Sequence, residues 1–223
     1  MNSRHGWVIA AMLLAGCGEQ ANSKLPSPQS GGADIAARGI NNHKTSDVTD
    51  VPYTKPQVKA AIEASGGRWS SHSDKVSFFG TQVTDADLEY VKWIPSLEKL
   101  DVSNTRITDA GLAHITGLIY LEELNVSNTQ ITDAGLKQLN MLPKLRYVRL
   151  AGTQVTDAAI EILMGLPGLK ALDISDTQIT EEGLELIEEL TNLKSLYVST
   201  NQFTETEIER LTAALPECSI LRN

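Results

Sequence analysis

The residues of this 223-residue chain that could carry chemistry form one regular row and a few isolated points. Thr84, Thr108, Thr132, Thr156, Thr180 and Thr204 recur every 24 residues, each followed by an acid: Asp85, Asp109, Asp133, Asp157, Glu181 and Glu205. Such a row of hydroxyls and carboxylates has the donor types of a metal or nucleotide site. The same two residue types also start helices. A Thr hydroxyl caps free amides of the first turn, and an acid beside it meets the positive end of the helix dipole. Because helix initiation accounts for every copy, no metal and no cofactor is expected. His5, His43, His72 and His114 lack ligand spacing with Cys or with one another, and no GxSxG nucleophile motif occurs. No catalytic residue is assigned, and the chain reads as a non-enzyme.

The row belongs to a longer repeat. Six copies of a 24-residue unit run from Ser73 to Pro216 without insertion, beginning at Ser73, Leu97, Leu121, Leu145, Leu169 and Leu193. The unit reads LxxLxVxxTxITDxGLxxLxxL, as in LEELNVSNTQITDAGLKQLNML from Leu121 to Leu142. Its apolar residues first alternate, as at Leu124 and Val126, which is the period of a strand. They then recur at a spacing of three, as at Leu112, Ile115 and Leu118, which is helical. One strand and one short helix share a single apolar face, so a copy must stack on its neighbours to bury it. The outcome expected is an α/β solenoid with a curved parallel sheet and short convex helices. Gly111, Gly135 and Gly183 inside the first helical turn imply close approach between repeats, whereas Asp87, Ala159 and Glu207 mark end copies or a looser stretch.

These residues resemble the leucine-rich repeat family, and within it a bacterial subtype whose helix opens with TDAGL. The resemblance covers Ser73 to Ile220 and implies the leucine-rich-repeat solenoid and a protein-binding role. Where the family usually places Asn after the strand, this chain has Thr81, Thr105, Thr129, Thr153 and Thr177, and only Asn201 keeps the Asn. The Thr ladder is expected to satisfy backbone groups in the turns of its own and the adjacent repeat.

Residues 1–16 carry Arg4 and an apolar run from Trp7 to Leu14, the layout of a signal peptide and too short for a permanent membrane span. The following Leu14, Ala15, Gly16 and Cys17 resemble the lipobox of bacterial lipoproteins, in which the Cys becomes the lipid-modified first residue. That resemblance implies lipidation at Cys17, export and anchoring to the cell envelope; Gly18 leans towards an outer membrane where two membranes are present. The alternative is an ordinary secretory leader with Cys17 free or paired with Cys218.

Residues 17–52 are rich in Ser, Pro, Gly and Asn and read as a disordered tether, reaching roughly 30 to 35 Å. Residues 53–72 form an expected N-terminal cap of helix and strand, with Thr54, Pro56 and Gln57 opening the helix and Gly66 and Gly67 ending it. Residues 217–223 would close the far end. The formal net charge of −9 argues against general nucleic-acid binding. The acids of the late helices, Glu181, Glu182, Glu185, Glu188 and Glu189 among them, read as a solvated face.

If Leu100 and Val102 point inward, Lys99, Asp101 and Ser103 point outward, and the period extends three outward columns across the sheet. Most positions in them are small and polar. Tyr147, Arg149, Asp173 and Tyr197 supply the residue types favoured at binding hot spots, and form the expected partner-binding site. Arg149 and Asp173 otherwise read as an exposed ion pair of little worth. The function that fits is a non-enzymatic protein-binding module or scaffold displayed from the envelope. One alternative is cell-wall glycan binding through the tyrosines. Another is a ubiquitin-ligase substrate adaptor, because ITDxGL repeats also resemble those of F-box adaptors; the recurrent cysteines of those repeats are missing here.

Overall fold

A 24-residue period with one alternating stretch per copy forces each strand to lie beside the equivalent stretch of the next copy. The computed structural model describes residues 53–70, 72–200 and 202–223. The leader, the tether with Cys17, and Asn201 lie outside the described residues. Eight strands, β1 (Arg68–Ser70), β2 (Lys75–Ser77), β3 (Lys99–Asp101), β4 (Glu123–Asn125), β5 (Tyr147–Arg149), β6 (Ala171–Asp173), β7 (Ser195–Val198) and β8 (Ser219–Arg222), form one sheet in chain order. β1 is antiparallel to β2 and every later pair is parallel. Val76, Leu100, Leu124, Val148, Leu172, Leu196 and Ile220 run across the sheet in one register.

On the convex side lie α1 (Lys55–Ala64), α2 (Asp109–Leu112), α3 (Asp133–Leu136), α4 (Ala158–Leu163), α5 (Glu181–Ile187) and α6 (Glu205–Ala214). The first repeat carries a 3-10 helix over Asp85–Trp93 instead. The α-helices of the repeats lengthen along the chain, from 4 residues in α2 to 10 in α6. Between the two layers the core is continuous: Leu112, Ile115, Leu118, Leu121 and Leu124 are each 0 % exposed. At roughly 1.5 to 3 kcal/mol for each buried large side chain, stacking is the dominant source of stability.

The two ends are covered unequally. At the start, Thr54 donates its N–H and hydroxyl to Gln57 Oε1, at 2.8 and 2.9 Å, and α1 covers the first repeat. Tyr53 packs edge-on against Tyr90 and Trp93, with ring centroids 5.9 and 6.0 Å away. At the other end β8 supplies the last strand, yet Ile220 is only half-buried and Leu221 is exposed. Cys218 is buried with no disulfide partner among the described residues, and burial pushes its pKa up.

The Thr and Asp row links repeats as well as starting helices. Asp85 accepts from the Thr108 N–H and hydroxyl at 2.8 and 2.7 Å. Asp109 accepts likewise from Thr132, Asp133 from Thr156 and Asp157 from Thr180. Each carboxylate therefore clamps the next copy, an assignment that the helix-dipole reading did not reach. The clamp also explains the glycines. A Cβ at Gly111 would sit 2.6 Å from the Asp85 carboxylate, and at Gly135 and Gly183 it would press on Asp109 and Asp157. Ala159 shows that the middle of the stack is no looser without Gly, since Asp133 still holds Thr156 at 2.9 and 2.7 Å. There the regular helix begins one residue later than in α2 and α3.

At the ends the clamp is replaced. Thr84, in the first repeat, donates to its own Asp87 at 2.9 and 2.6 Å. Thr204 donates to its own Glu207, and those bonds hold the Glu207 carboxyl below its usual range. Glu181, one methylene longer than the aspartates, turns to Arg210, which also meets Glu185 and Glu188. These three acids are thus gathered on one guanidinium, on a face that stays solvated, with Glu181, Glu182, Glu185 and Glu189 exposed.

The Thr ladder donates within its own turn. Thr105, Thr129 and Thr153 donate to Val102, Val126 and Leu150 carbonyls at 2.6, 2.5 and 2.5 Å. Thr81 and Thr177 donate to Phe78 and Ile174 at 2.8 and 2.6 Å. Contact with the adjacent repeat is made by backbone, as from Gln130 N–H to the Ile107 carbonyl at 3.0 Å, and by side chains, as from Asn128 Nδ2 to Asn104 Oδ1 at 3.2 Å and from Gln202 Nε2 to Thr177 Oγ1 at 3.4 Å. The preceding residue turns the chain with positive φ: Asn104 at 56°, Asn128 at 55° and Asp176 at 54°, and Gly80 and Gly152 in the same place. This departure from the strand ends the outward alternation early.

Candidate functional site

Three-residue strands leave two outward columns on the concave face. Ser77, Asp101, Asn125, Arg149, Asp173 and Tyr197 form one, and Lys75, Lys99, Glu123, Tyr147, Ala171 and Ser195 the other. The expected third column belongs to the turns. Ser103 and Ser175 are 2 % and 4 % exposed, because their N–H groups fold back onto the Oδ1 atoms of Asp101 and Asp173, each at 3.0 Å. Asn125 accepts from Ser127 N–H in the same way.

Tyr147, Arg149, Asp173 and Tyr197 line one depression of about 190 Å³. Tyr147 and Arg149 stand on β5, Asp173 on β6 and Tyr197 on β7. Adjacent parallel strands lie about 4.8 Å apart, so the two tyrosines stand diagonally across one strand. Ala171 and Ser195 make the floor. Their small side chains leave the space that a large residue in either position would fill.

The expected Arg149–Asp173 ion pair is not formed. Arg149 Nη1 donates to Glu123 Oε1 at 2.7 Å, and Lys99 Nζ lies 3.2 Å from the other oxygen of the same carboxylate. Burial pushes the Glu123 carboxyl up, but the bond from Lys99 and the charge of Arg149 together hold it below the usual range. Asp173 has no ion-pair partner among the described residues. Glu123, Ala171 and Ser195 were placed on the sheet by the period without being assigned to the site. The order Lys99, Glu123, Tyr147 in one column, with Arg149 diagonal to Glu123, was the signal for the ion pair; the small floor carried none until neighbouring strands were placed.

Two further depressions lie at the rims: one near Phe79 and Arg68, the other among Asp176, Ser199, Gln202 and Asn223. Neither has a pair of aromatic walls. Among the described residues no group of three or more His, Cys, Asp or Glu is placed to hold a metal ion. No helix among them is long and apolar enough to cross a membrane.

The described repeats can be set beside known proteins. The leucine rich repeat family profile matches residues 95–155, and a second leucine rich repeat profile matches residues 167–187. No curated protein matches the sequence. An internalin from Listeria monocytogenes strain 4b F2365 is similar in structure, with 30 % sequence identity and a TM-score of 0.52 over 63 % of this chain. The match spans 38 % of the internalin chain. With the register stepping by one repeat from strand to strand, the matches show that the described repeats have the α/β leucine-rich-repeat solenoid fold.

Proposed function

We propose that this protein is a non-enzymatic binding module, displayed from a bacterial cell envelope, that recognises a protein partner on its concave sheet. The observation that carries the reading is the depression between Tyr147 and Tyr197, where small and polar columns give way to two aromatic walls over Ala171 and Ser195. Aromatic and Arg side chains in a preformed concavity are what protein interfaces use as anchors. A rigid sheet presents them without an ordering cost. The membrane link in this proposal is lipid attachment at Cys17, with residues 1–16 removed and 17–52 as tether. In it, residues 53–72 and 217–223 cap repeats spanning 73–216.

Affinity capture with the full chain, compared with a Tyr147→Ala/Tyr197→Ala variant, tests the recognition surface. A protein enriched by the native chain and lost with the variant supports the reading; equal capture by both removes the concave face from consideration. Glycan binding would use the same two rings, and a purified cell-wall fragment retained by the native chain alone would favour it instead. Incorporation of a labelled fatty acid that disappears in Cys17→Ser tests the anchor. Persistence of the label in that variant would reject it.

A further inference from the structure

Within the concave-face reading, we propose that the depression takes a basic side chain of the partner, with arginine as the best fit. Two charged groups line it, and only one of them is already satisfied. Arg149, on β5, is drawn towards β4 by its 2.7 Å bond to Glu123. Asp173, on β6, spends Oδ1 on the Ser175 N–H and has no cation partner among the described residues. Its second oxygen is left for an incoming group.

The surroundings of that carboxylate suit a guanidinium more than any neutral guest. Tyr147 is 41 % exposed and stands on one side of β6, with Tyr197 on the other. A tyrosine face attracts a cation, and a flat guanidinium can stack on a ring while its edge donates to a carboxylate. A space of about 190 Å³ over an Ala171 and Ser195 floor admits one side chain, not a folded element. An acidic guest would have to compete with Glu123 for Arg149 and would meet Asp173 uncompensated. The chain's net charge of −9 also steers basic partners towards it.

The probes are N-acetyl-arginine amide and its neutral isostere N-acetyl-citrulline amide, each titrated into the full chain and followed at the Ala171 and Ser195 backbone amides by NMR. The expected result is a saturable shift with the arginine probe, about tenfold weaker with citrulline and about tenfold weaker in Asp173→Asn. The Asn variant keeps an oxygen for the Ser175 N–H, so its fold is retained. Equal binding of the two probes, an unchanged Asp173→Asn, or no saturable shift overturns the inference.

An aromatic photo-crosslinking residue at position 147, which keeps a ring on that wall, separates this inference from the wider reading. A captured partner joined through a segment containing Arg or Lys supports both. A segment with neither overturns the basic-guest inference and leaves concave-face recognition standing. Capture only from convex positions overturns both.

Discussion

The turn edge and the concave face use the same 24-residue period in opposite ways. Along the turn edge, aspartate in one copy clamps threonine in the next four times over, with nearly constant distances. Across the concave face, the register that aligns Ser77 with Asp101 and Asn125 also aligns Arg149, Asp173 and Tyr197, residues with no chemistry in common. A repeated residue answers a demand that every copy makes, which is burial or hydrogen bonding between copies. A residue that breaks the repeat on an exposed face answers no such demand and is available for recognition.

The largest expected effect comes from crowding the clamp. Gly135→Ala would drive a Cβ into the Asp109 carboxylate and cost about 1 to 3 kcal/mol in urea unfolding. Ala159→Gly, the reverse change one repeat on, would cost only about 0.5 to 1 kcal/mol, from helix propensity. Equal effects at the two positions would show that the clamp is not what selects glycine. Asp109→Ala leaves the Thr132 N–H and hydroxyl without their acceptor and should cost about 1 to 2 kcal/mol. Since removing Asp109 also makes room for a Cβ, the double variant Asp109→Ala/Gly135→Ala should be less destabilised than the sum of the singles.

On the concave face the effects are smaller. Glu123 has a lowered pKa, so its stabilising contribution is present above the ordinary carboxylate range, near pH 4.5, and is lost as pH falls through the depressed value. Glu123→Gln should therefore match the wild type in acid and fall below it by no more than about 1 kcal/mol at neutral pH, because both cations are half exposed. A gap that widens on acidification would contradict the assignment. Tyr147→Ala should change stability by less than about 0.5 kcal/mol, checked by the same urea titration. A larger loss would make that ring part of the scaffold and erase the contrast between the two regions.

Much of the scaffold was legible in the sequence. Alternation at Leu124 and Val126, the spacing of Leu112, Ile115 and Leu118, and Thr54 with Gln57 ahead of α1 all have local causes, so one stretch of chain suffices to read them. The Asp–Thr clamp was half legible. Helix initiation is local and was read, but the carboxylate's partner lies 23 residues on. Asp87 and Glu207 looked like lapses from glycine, yet each caps the Thr of its own helix where no aspartate reaches it from the preceding copy.

The sequence by itself determined the period, the two-layer fold and which residues share an outward column, because strand alternation and a constant repeat length leave no other register in which the apolar faces can be buried. Only the tertiary structure decided that Arg149 answers to Glu123 and not to Asp173, that Ser103 and Ser175 are covered by their bonds to Asp101 and Asp173, and that Ala171 and Ser195 floor a space between two tyrosines. Those outcomes depend on side-chain reach between strands and on where each turn departs from the sheet. A spacing rule carries neither quantity.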